Sequence, residues 1–295
     1  MSITSSVKDR IHILKKEYDT LRPGKDALLT IIDESELPEN VYNSNAIESS
    51  TLTLKETERI LMEMEVSRNV SVREVYEAKN LARVINYKKY KGKEQELTLE
   101  LILLLHQMLL GDINDKVAGR LRSDNEFVRI GTFIAVPPKQ IERNLKEILI
   151  EYSSDLNSYF LDKIAKFHLD FETIHPFNDG NGRIGRVLIN YQLLRLNFPR
   201  IIIREKDKKN YYKAFTVYQD NHKTKLMESV LTLALLEALH KRITYLKGET
   251  IISLADYVKK HHVGAPAIFN AAKRQSIPAF REKGVWKISR EYLSK

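Results

Sequence analysis

The sequence predicts a mainly α-helical protein that carries one short β-hairpin and ends in a small basic module. Three observations lead to this fold class. Apolar residues recur at helical spacing over most of the chain, and glycine and proline are scarce in those segments. One segment instead is rich in β-branched and aromatic residues. Positive charge is concentrated over residues 251–295.

Helical spacing is clearest in six segments. Each places apolar side chains on one face, which a bundle of helices can bury. The segments are LKETERILMEME (54–65), LTLELILLLHQMLL (97–110), IERNLKEILIEYSSDLNSYF (141–160), DKIAKFHLDFETI (162–174), RIGRVLINYQLLRL (183–196) and KLMESVLTLALLEALHKRI (225–243).

The exception is FVRIGTFIAVPP, from Phe127 to Pro138. Its β-branched and aromatic residues surround Gly131 and end in two prolines, a pattern that predicts a short hairpin. A boundary is expected near YLKGET (245–250), where a long apolar helix gives way to a basic segment.

Composition limits the classes of function. A chain of 295 residues is long enough for about two domains. It has no cysteine, which excludes a disulfide framework, a thiolate metal site and a cysteine nucleophile. We expect a cytoplasmic protein, because neither an N-terminal signal peptide nor an apolar run of membrane-spanning length is present.

The segment HPFNDGNGRIGR (175–186) combines residue types that suit phosphate chemistry. Its glycines precede a predicted helix, where they allow positive φ and bring backbone N–H groups close to a ligand. Such donors at a helix N-terminus, together with the helix dipole, form an anion site. Arg183 and Arg186 lie three residues apart on the first turn, so both can reach the same anion.

Two further residues of this segment predict a reaction. Asp179 beside a phosphate site is suited to holding Mg²⁺, with the nucleotide and water completing its ligands. His175 has a side chain whose ordinary pKa suits a general base near neutral pH. The combination predicts phosphoryl or nucleotidyl transfer from a magnesium-bound nucleotide to a nucleophile that His175 deprotonates.

The same twelve residues resemble the signature of the Fic family, HPFx[DE]GNGRxxR, and match every fixed position. The chain resembles a Fic core from about Leu97 to His240, including LHQMLL, AGRLR and NYYKAF. The resemblance implies an all-helical fold and AMPylation, in which AMP moves from ATP to a target hydroxyl and pyrophosphate leaves.

The resemblance also implies roles for single residues. His175 is the catalytic base, Asp179 binds Mg²⁺ and Arg186 grips the γ-phosphate. The implied ATP-binding residues are Gly180, Asn181, Gly182, Arg183, Ile184, Gly185, Arg186, Tyr212 on the adenine side, and Gln219, which stands where relatives often have asparagine.

The resemblance to this family also implies a role for the predicted hairpin. The Phe127–Pro138 hairpin resembles a flap that pairs with an extended segment of a target protein, whose Ser, Thr or Tyr hydroxyl accepts AMP. Self-modification is expected as well, and self-association of the chain is left open. No membrane partner is expected.

An upstream segment, YNSNAIESS (42–50), looks from its residues alone like a polar helix start. Beside the family it resembles the inhibitory motif [ST]xxxE[GN], with Ser44 and Glu48 in register and Ser49 departing from it. The resemblance implies that Glu48 pairs with Arg186 and blocks the γ-phosphate position. In some relatives the same glutamate aligns water for removal of AMP.

The basic tail has nine Lys or Arg residues against three acidic ones over 251–295, a net of +6 out of +9 for the chain. Its punctuation predicts a helix, a turn at Gly264, a second helix from Pro266 and a hairpin around Gly284. This order resembles small winged helix-turn-helix modules. Lys273 and Arg274 would end the second helix, and Arg281 and Lys283 would lie in the wing.

We therefore expect an N-terminal helical region with the inhibitory motif (1–95), a Fic catalytic core (96–248) and a winged helix-turn-helix-like domain (249–295) that contacts DNA or protein. Two alternatives to AMPylation stay open. One is a DNA-binding regulator whose core only senses nucleotide, and the other is transfer of a different phosphate-containing group.

Overall fold

The computed structural model describes residues 5–66, 69–91, 96–130 and 133–292. Within these ranges the chain forms twelve α-helices and two small antiparallel sheets. None of the described helices combines the length and the apolar character needed to cross a bilayer.

Four helices lead into the central part of the protein. They are α1 (Ser5–Leu21), α2 (Asp26–Ile47), α3 (Leu54–Glu58), which continues as a π-helical turn over Arg59–Glu63, and α4 (Val72–Lys91). Thr53 and Glu56 start α3 with a capping box, because each side chain accepts the backbone N–H of the other residue.

Six helices form the centre. They are α5 (Leu99–Leu110), α6 (Pro138–Ser154), α7 (Phe160–Ile174), α8 (Asn181–Arg195), α9 (Lys208–Asn221) and α10 (Lys225–Lys247). A short 3₁₀ turn, Glu205–Asp207, precedes α9. The mainly helical class predicted from apolar spacing is confirmed.

One predicted helix is too long. The apolar spacing of residues 141–160 suggests a continuous helix, but α6 ends at Ser154 and α7 begins at Phe160. The side chain of Asp155 accepts the backbone N–H groups of Asn157 and Ser158, which closes a turn. An aspartate that bonds to the following backbone competes with helix propagation, and apolar periodicity does not reveal that competition.

The helix-start interpretation of Tyr42–Ser50 is also wrong. Residues up to Ile47 form the last turns of α2, and Glu48 is the first residue beyond that helix. The N–H of Glu48 donates to the carbonyl of Asn45, so the chain turns directly after Ile47. The motif therefore lies at the C-terminus of α2, where the turn of the chain lets its side chains contact another helix.

Two apolar clusters lie on either side of α7 and α8. One contains Leu105, Phe171, Ile184 and Leu188 with residues of α4 and α5, and the other contains Ile11, Leu169, Ile189 and Leu235 with residues of α1, α9 and α10. Because α7 and α8 contribute to both clusters, the loop that joins them is held between the two cores.

The predicted hairpin is present as β1 (Arg129–Ile130) and β2 (Phe133–Ile134), paired antiparallel with Ile130 opposite Phe133. Gly131, the predicted centre of the turn, lies outside the described residues. The following Pro-Pro ends the strand and starts α6, since Pro138 occupies the first helical position.

The tail forms the predicted succession of two helices and a hairpin. Its elements are β3 (Ile251–Ser253), α11 (Leu254–His261), α12 (Ala265–Lys273), β4 (Phe280–Glu282) and β5 (Val285–Ser289). The sheet order is β3-β5-β4, and a small core includes Leu254, Tyr257 and Ile288. The first strand, which the punctuation did not predict, begins directly after the predicted boundary at 248–249.

Arg281 and Lys283, the two cations predicted to lie in a wing, face the helical core. Arg281 forms an ion pair with Glu237 of α10 over 2.7 Å, and Lys283 pairs with Glu58 of α3 over 2.8 Å. The carboxylate of Glu39 in α2 accepts the backbone N–H groups of Lys283 and Gly284. The β4–β5 turn therefore packs on the helix that precedes the Glu48 segment.

Candidate functional site

The loop between α7 and α8 begins and ends in the left-handed region. His175 follows α7 with φ 50° and ψ 62°, and Gly180 precedes α8 with φ 83°. Asn181 closes the loop, since its side-chain oxygen accepts the N–H of Phe177 and its amide donates to the carbonyl of Phe177, over 2.9 and 2.8 Å. The Asn181 side chain is thus engaged within the loop, which leaves its backbone N–H at the start of α8.

Two residues that the sequence analysis did not single out hold the same loop. The Nε of Arg122 donates to the carbonyl of His175 over 2.8 Å. The ring of His106 stacks on Phe177, with centroids 3.7 Å apart. Its Nδ1 accepts the N–H of Gly119, so its Nε2 carries the proton and donates to the carbonyl of Asp179 over 3.0 Å.

His175 is neutral in this environment. Burial lowers the pKa of its imidazole to about 4, and the positive charge of Arg122 acts in the same direction. Its Nδ1 lies 3.9 Å from a carboxylate oxygen of Glu172 and has no hydrogen-bond partner among the described residues. The imidazole is therefore in the unprotonated form that a general base requires.

Arg186 is buried and is held by the end of α2. Its Nε donates to the hydroxyl of Ser44 over 3.0 Å, and its Nη2 donates to the Ser44 carbonyl over 2.7 Å. Its Nη1 lies 2.9 Å from the Glu48 carboxylate, which is 38% exposed. Burial opposes the charge of Arg186, but Tyr211 and Glu48 outweigh it and raise its pKa. The structure therefore brings Ser44, Glu48 and Arg186 together.

Arg183 and Asp179 belong to a second cluster of charges. Asp179 lies 2.8 Å from Arg183 and 2.6 Å from Arg73 of α4, and Arg183 also lies 3.2 Å from Glu77. Burial opposes the charge of Asp179, but the two arginines together lower its pKa. The Nε of Arg183 is buried and has no hydrogen-bond partner among the described residues.

The donor set at Asp179 fits Mg²⁺ only together with a phosphate ligand. Among the described residues no three or more acidic or histidine side chains are grouped as a metal site. Mg²⁺ is commonly held by one or two carboxylates plus substrate phosphates, and a single aspartate at a helix N-terminus matches that pattern. The exposed Arg73 would have to release one carboxylate oxygen for this binding.

A cavity of about 510 Å³ opens above this loop. Five of the predicted site residues line it, together with Ile130 and Phe133 of the hairpin. The five are His175, Gly182, Glu48, Tyr212 and Gln219. A Cβ added to Gly182 would lie 2.1 Å from the Glu48 carboxylate, so the glycine makes room for that side chain. Tyr212 donates its hydroxyl to the carbonyl of Ile47 over 2.8 Å, directly before Glu48.

Two predicted ATP-binding residues point elsewhere. The side chain of Ile184 is wholly buried in the apolar core, so a ligand could contact only its backbone. Gly185 faces α7, and a Cβ there would lie 2.4 Å from Glu172 and 2.7 Å from His168. Its absence of a side chain serves the close packing of α7 against α8.

The structure adds three residues to the site. Glu172 lines the cavity, and its pKa is raised to about 8 by burial and by the charge of Glu48. Tyr211, which also lines it, and the buried His168 lie behind Arg186. Glu172 lies one helical turn before His175, so spacing on α7 was a usable signal, whereas neither Tyr211 nor His168 has a comparable signal.

Comparison with known proteins adds to this geometry. Residues 96–193 match the Fic/DOC family. Over 213 residues the chain is 30% identical to protein adenylyltransferase fic-1 of Caenorhabditis elegans, an alignment that covers 70% of this chain and 41% of that protein. The chain therefore spans about two fifths of the length of this curated relative.

Two solved structures share the fold. A Fic domain containing signaling protein from Bacteroides thetaiotaomicron is 27% identical, with a TM-score of 0.74, and the match covers 81% of this chain and 97% of that one. A Fic family protein from Desulfovibrio desulfuricans, 20% identical with a TM-score of 0.66, matches in fold over 100% of this chain and 99% of its own. The sequence match and the shared fold together identify residues 96–193, which carry the loop from His175 to Arg186, as a Fic/DOC domain.

Proposed function

We propose that the protein is an adenylyltransferase that moves AMP from ATP to a Ser, Thr or Tyr hydroxyl of a target protein or of itself. One observation carries the proposal. The cavity lined by neutral His175 extends past Gly182 to Glu48, the carboxylate paired with Arg186. The proposed base, His175, and the proposed cation for the γ-phosphate, Arg186, therefore act on the same cavity. The naming of the C. elegans relative as a protein adenylyltransferase supports the same reaction.

The proposed reaction is a displacement at the α-phosphorus of ATP. The target hydroxyl oxygen bonds to the α-phosphorus, the bond between the α-phosphorus and the bridging oxygen breaks, and pyrophosphate leaves. The hydroxyl proton passes to the imidazole of His175, which its lowered pKa keeps neutral and able to accept. The hydrogen bond from Arg122 to the His175 carbonyl holds the backbone that carries this ring.

The start of α8 would bind the phosphates. Backbone N–H groups of Asn181, Gly182 and Arg183 and the guanidinium of Arg183 offer donors at a helix N-terminus, where the helix dipole also favours an anion. Arg186 would bind the γ-phosphate. Asp179 would hold Mg²⁺, which on binding neutralises phosphate charge and orients the triphosphate.

The other end of the cavity would receive adenine and the target. Tyr212 and Gln219 line it from α9, which suits an aromatic base and its polar edge. We propose that an extended segment of the target pairs with the Phe127–Pro138 hairpin through backbone hydrogen bonds, so that the hydroxyl reaches His175 with few demands on the target sequence.

We further propose that Glu48 restrains the enzyme. Its carboxylate and the γ-phosphate would need the same guanidinium, and the two negative charges repel each other. Because Glu48 faces the cavity and is partly exposed, we include in the proposal that it activates water for removal of AMP from a modified hydroxyl.

For the tail we propose that it packs against the helical core of its own chain rather than binding DNA. Arg281 and Lys283 would be DNA contacts of a wing, but both are paired with carboxylates of the helical core. A DNA contact would have to break those pairs, so the wing is better suited to holding α2 and α10.

The testing experiment uses the full chain with ATP labelled at either the α- or the γ-phosphate. AMP transfer predicts α-label on protein and no γ-label, both in wild type and, more strongly, in Glu48→Gly. Transfer of γ-label would establish phosphate transfer instead. Absence of either label from both proteins and from candidate targets, with ATP bound, would favour a nucleotide sensor. His175→Ala provides the control for uncatalysed labelling.

A further inference from the structure

We propose that Tyr211, held in turn by His168, is a positioning residue that keeps Arg186 aimed at the terminal phosphate of ATP once the end of α2 has withdrawn. The inference rests on the proposed role of Arg186 as the γ-phosphate contact and deepens it. It assigns a function to two buried polar side chains outside the signature loop.

The partners of Arg186 come from two sides. Its Nη1 donates to the phenol oxygen of Tyr211 over 3.4 Å, and the centre of the Tyr211 ring lies 5.8 Å from its guanidinium carbon. Among the described residues, its other hydrogen-bond and ion-pair partners are Ser44 and Glu48 at the end of α2. ATP has to displace the α2 contacts to reach Arg186, whereas the contact from α9 can persist.

The hydroxyl of Tyr211 has a defined direction. It lies 2.9 Å from Nε2 of His168, and each of the two residues is only 1% exposed. Burial, and then the charge of Arg186, lower the pKa of His168 to about 3, so the imidazole is neutral. Arg186 can only donate to the phenol oxygen, so the phenol proton goes to His168, and Nε2 of that ring is the acceptor.

This arrangement leaves a lone pair of the phenol oxygen facing the guanidinium. A buried arginine without such an acceptor would have to change rotamer or leave its donors unsatisfied, at a cost in free energy. Tyr211 lies on α9 next to Tyr212, so a single helix would place the residues at the adenine end and at the γ-phosphate end of the nucleotide. The geometry therefore fits a support that is independent of α2.

The test compares ATP with ADP, because ADP lacks the γ-phosphate. Tyr211→Phe is placed in the Glu48→Gly chain, and the affinity for each nucleotide is measured by titration calorimetry with Mg²⁺. We expect ATP to bind about tenfold more weakly, the effect of losing a hydrogen bond to a charged group, with ADP binding unchanged. Tyr218→Phe is the matched control, since Tyr218 lies on the same helix and bonds to Asp170 instead.

His168 gives a second comparison that does not depend on the folding of the tyrosine variant. His168→Leu removes the acceptor and should weaken ATP selectively, while His168→Gln can offer an acceptor near the same position and should restore part of the affinity. An equal change in the ATP-to-ADP ratio for Tyr211→Phe and Tyr218→Phe would overturn the inference. So would equal loss in both His168 variants.

These binding measurements need no transfer reaction. If α-phosphate labelling fails while the ATP-to-ADP ratio responds to Tyr211, the adenylyltransferase proposal fails and the positioning inference stands. If labelling succeeds and the ratio does not respond, the inference fails and the proposed function stands.

Discussion

The carboxylate of Glu48 lies 2.9 Å from the guanidinium of Arg186, which places the end of α2 inside the cavity that His175 lines. Ser44 holds the same guanidinium through both its hydroxyl and its carbonyl. The proposed restraint therefore consists of two parts, a helix end that binds the arginine and a carboxylate at the position proposed for the γ-phosphate.

Replacing Glu48 with glycine should raise the rate of AMP transfer. The change frees Nη1 of Arg186 and removes a negative charge from the cavity, and coupling energies of this kind correspond to roughly 5- to 150-fold. Initial rates of α-phosphate labelling at equal ATP measure the effect. The double variant Glu48→Gly with Arg186→Ala should show no gain, because the freed arginine is then missing. Equal rates for wild type and Glu48→Gly would place the restraint elsewhere.

Replacing His175 with alanine should abolish transfer and leave nucleotide binding nearly intact. Loss of a general base costs on the order of 10²–10⁴ in rate, while the proposed phosphate donors belong to α8. Single-turnover labelling together with calorimetric ATP affinity checks both parts, in the Glu48→Gly chain so that binding is measurable. Labelling at the parent rate would remove His175 from its assigned role.

Glu172 should make the stability of the protein depend on pH. Burial and the charge of Glu48 raise its pKa to about 8, and Arg186 opposes that change. Further titratable groups near it are His175, Tyr211 and Tyr212. A carboxyl with a raised pKa contributes its full stability below its unfolded pKa of about 4.3 and loses it as pH rises towards 8.

Glu172→Gln should therefore melt like wild type at pH 5 and at a higher temperature than wild type at pH 9. Differential scanning calorimetry at the two pH values measures the difference. Glu142→Gln, which removes an exposed glutamate paired with Lys146 on α6, is the control for a general charge effect. The same melting difference at both pH values would contradict a raised pKa.

We expect Glu39 to couple the C-terminal tail to the proposed inhibition by Glu48. Its buried carboxylate pairs with Arg204 and accepts the N–H groups of Lys283 and Gly284. Removing one partner of a buried pair costs about 3 kcal/mol, so Glu39→Gln should lower the unfolding free energy by that order.

Because Glu39 lies on α2, upstream of Ser44 and Glu48, the same variant should also raise basal AMP transfer. Glu58→Gln is the matched control. It breaks only the pair with the exposed Lys283 side chain, which is worth less than about 1 kcal/mol. Chemical denaturation measures the unfolding free energy of both variants, and α-phosphate labelling measures their basal transfer. If Glu39→Gln and Glu58→Gln gave similar values in both measurements, the result would argue against a role for Glu39.

The predicted helices show which local signals are reliable. The segments that became α5, α7, α8 and α10 kept their apolar spacing from end to end, and each lies near its predicted bounds. The segment over 141–160 failed because Asp155 bonds to the backbone that follows it, and that choice is not visible in the apolar pattern. Similarly, the polar residues of 42–50 do not reveal whether a helix begins or ends there.

The residues of the candidate site also fall into two groups, those that the sequence predicts and those that only helix packing brings together. The position of His175 at the end of one helix and of Gly180 at the start of the next follows from the order of residues in a single loop. Tyr211, His168 and Glu172 lie on helices α9 and α7, and their approach to Arg186 and His175 depends on how those helices pack. No property of the segments that contain Tyr211 and His168 predicted those contacts.

By itself, the sequence determined the helical class, the loop with its anion-binding helix start, and the excess of positive charge in the tail. Only the tertiary structure decided which charges meet, such as Arg281 with Glu237 and Arg204 with Glu39. Periodicity, caps and glycine turns act between neighbours along the chain, so they can be read locally. Ion pairs between helices depend on packing that buries both partners, and burial is also what makes each unpaired charge costly enough to select its partner.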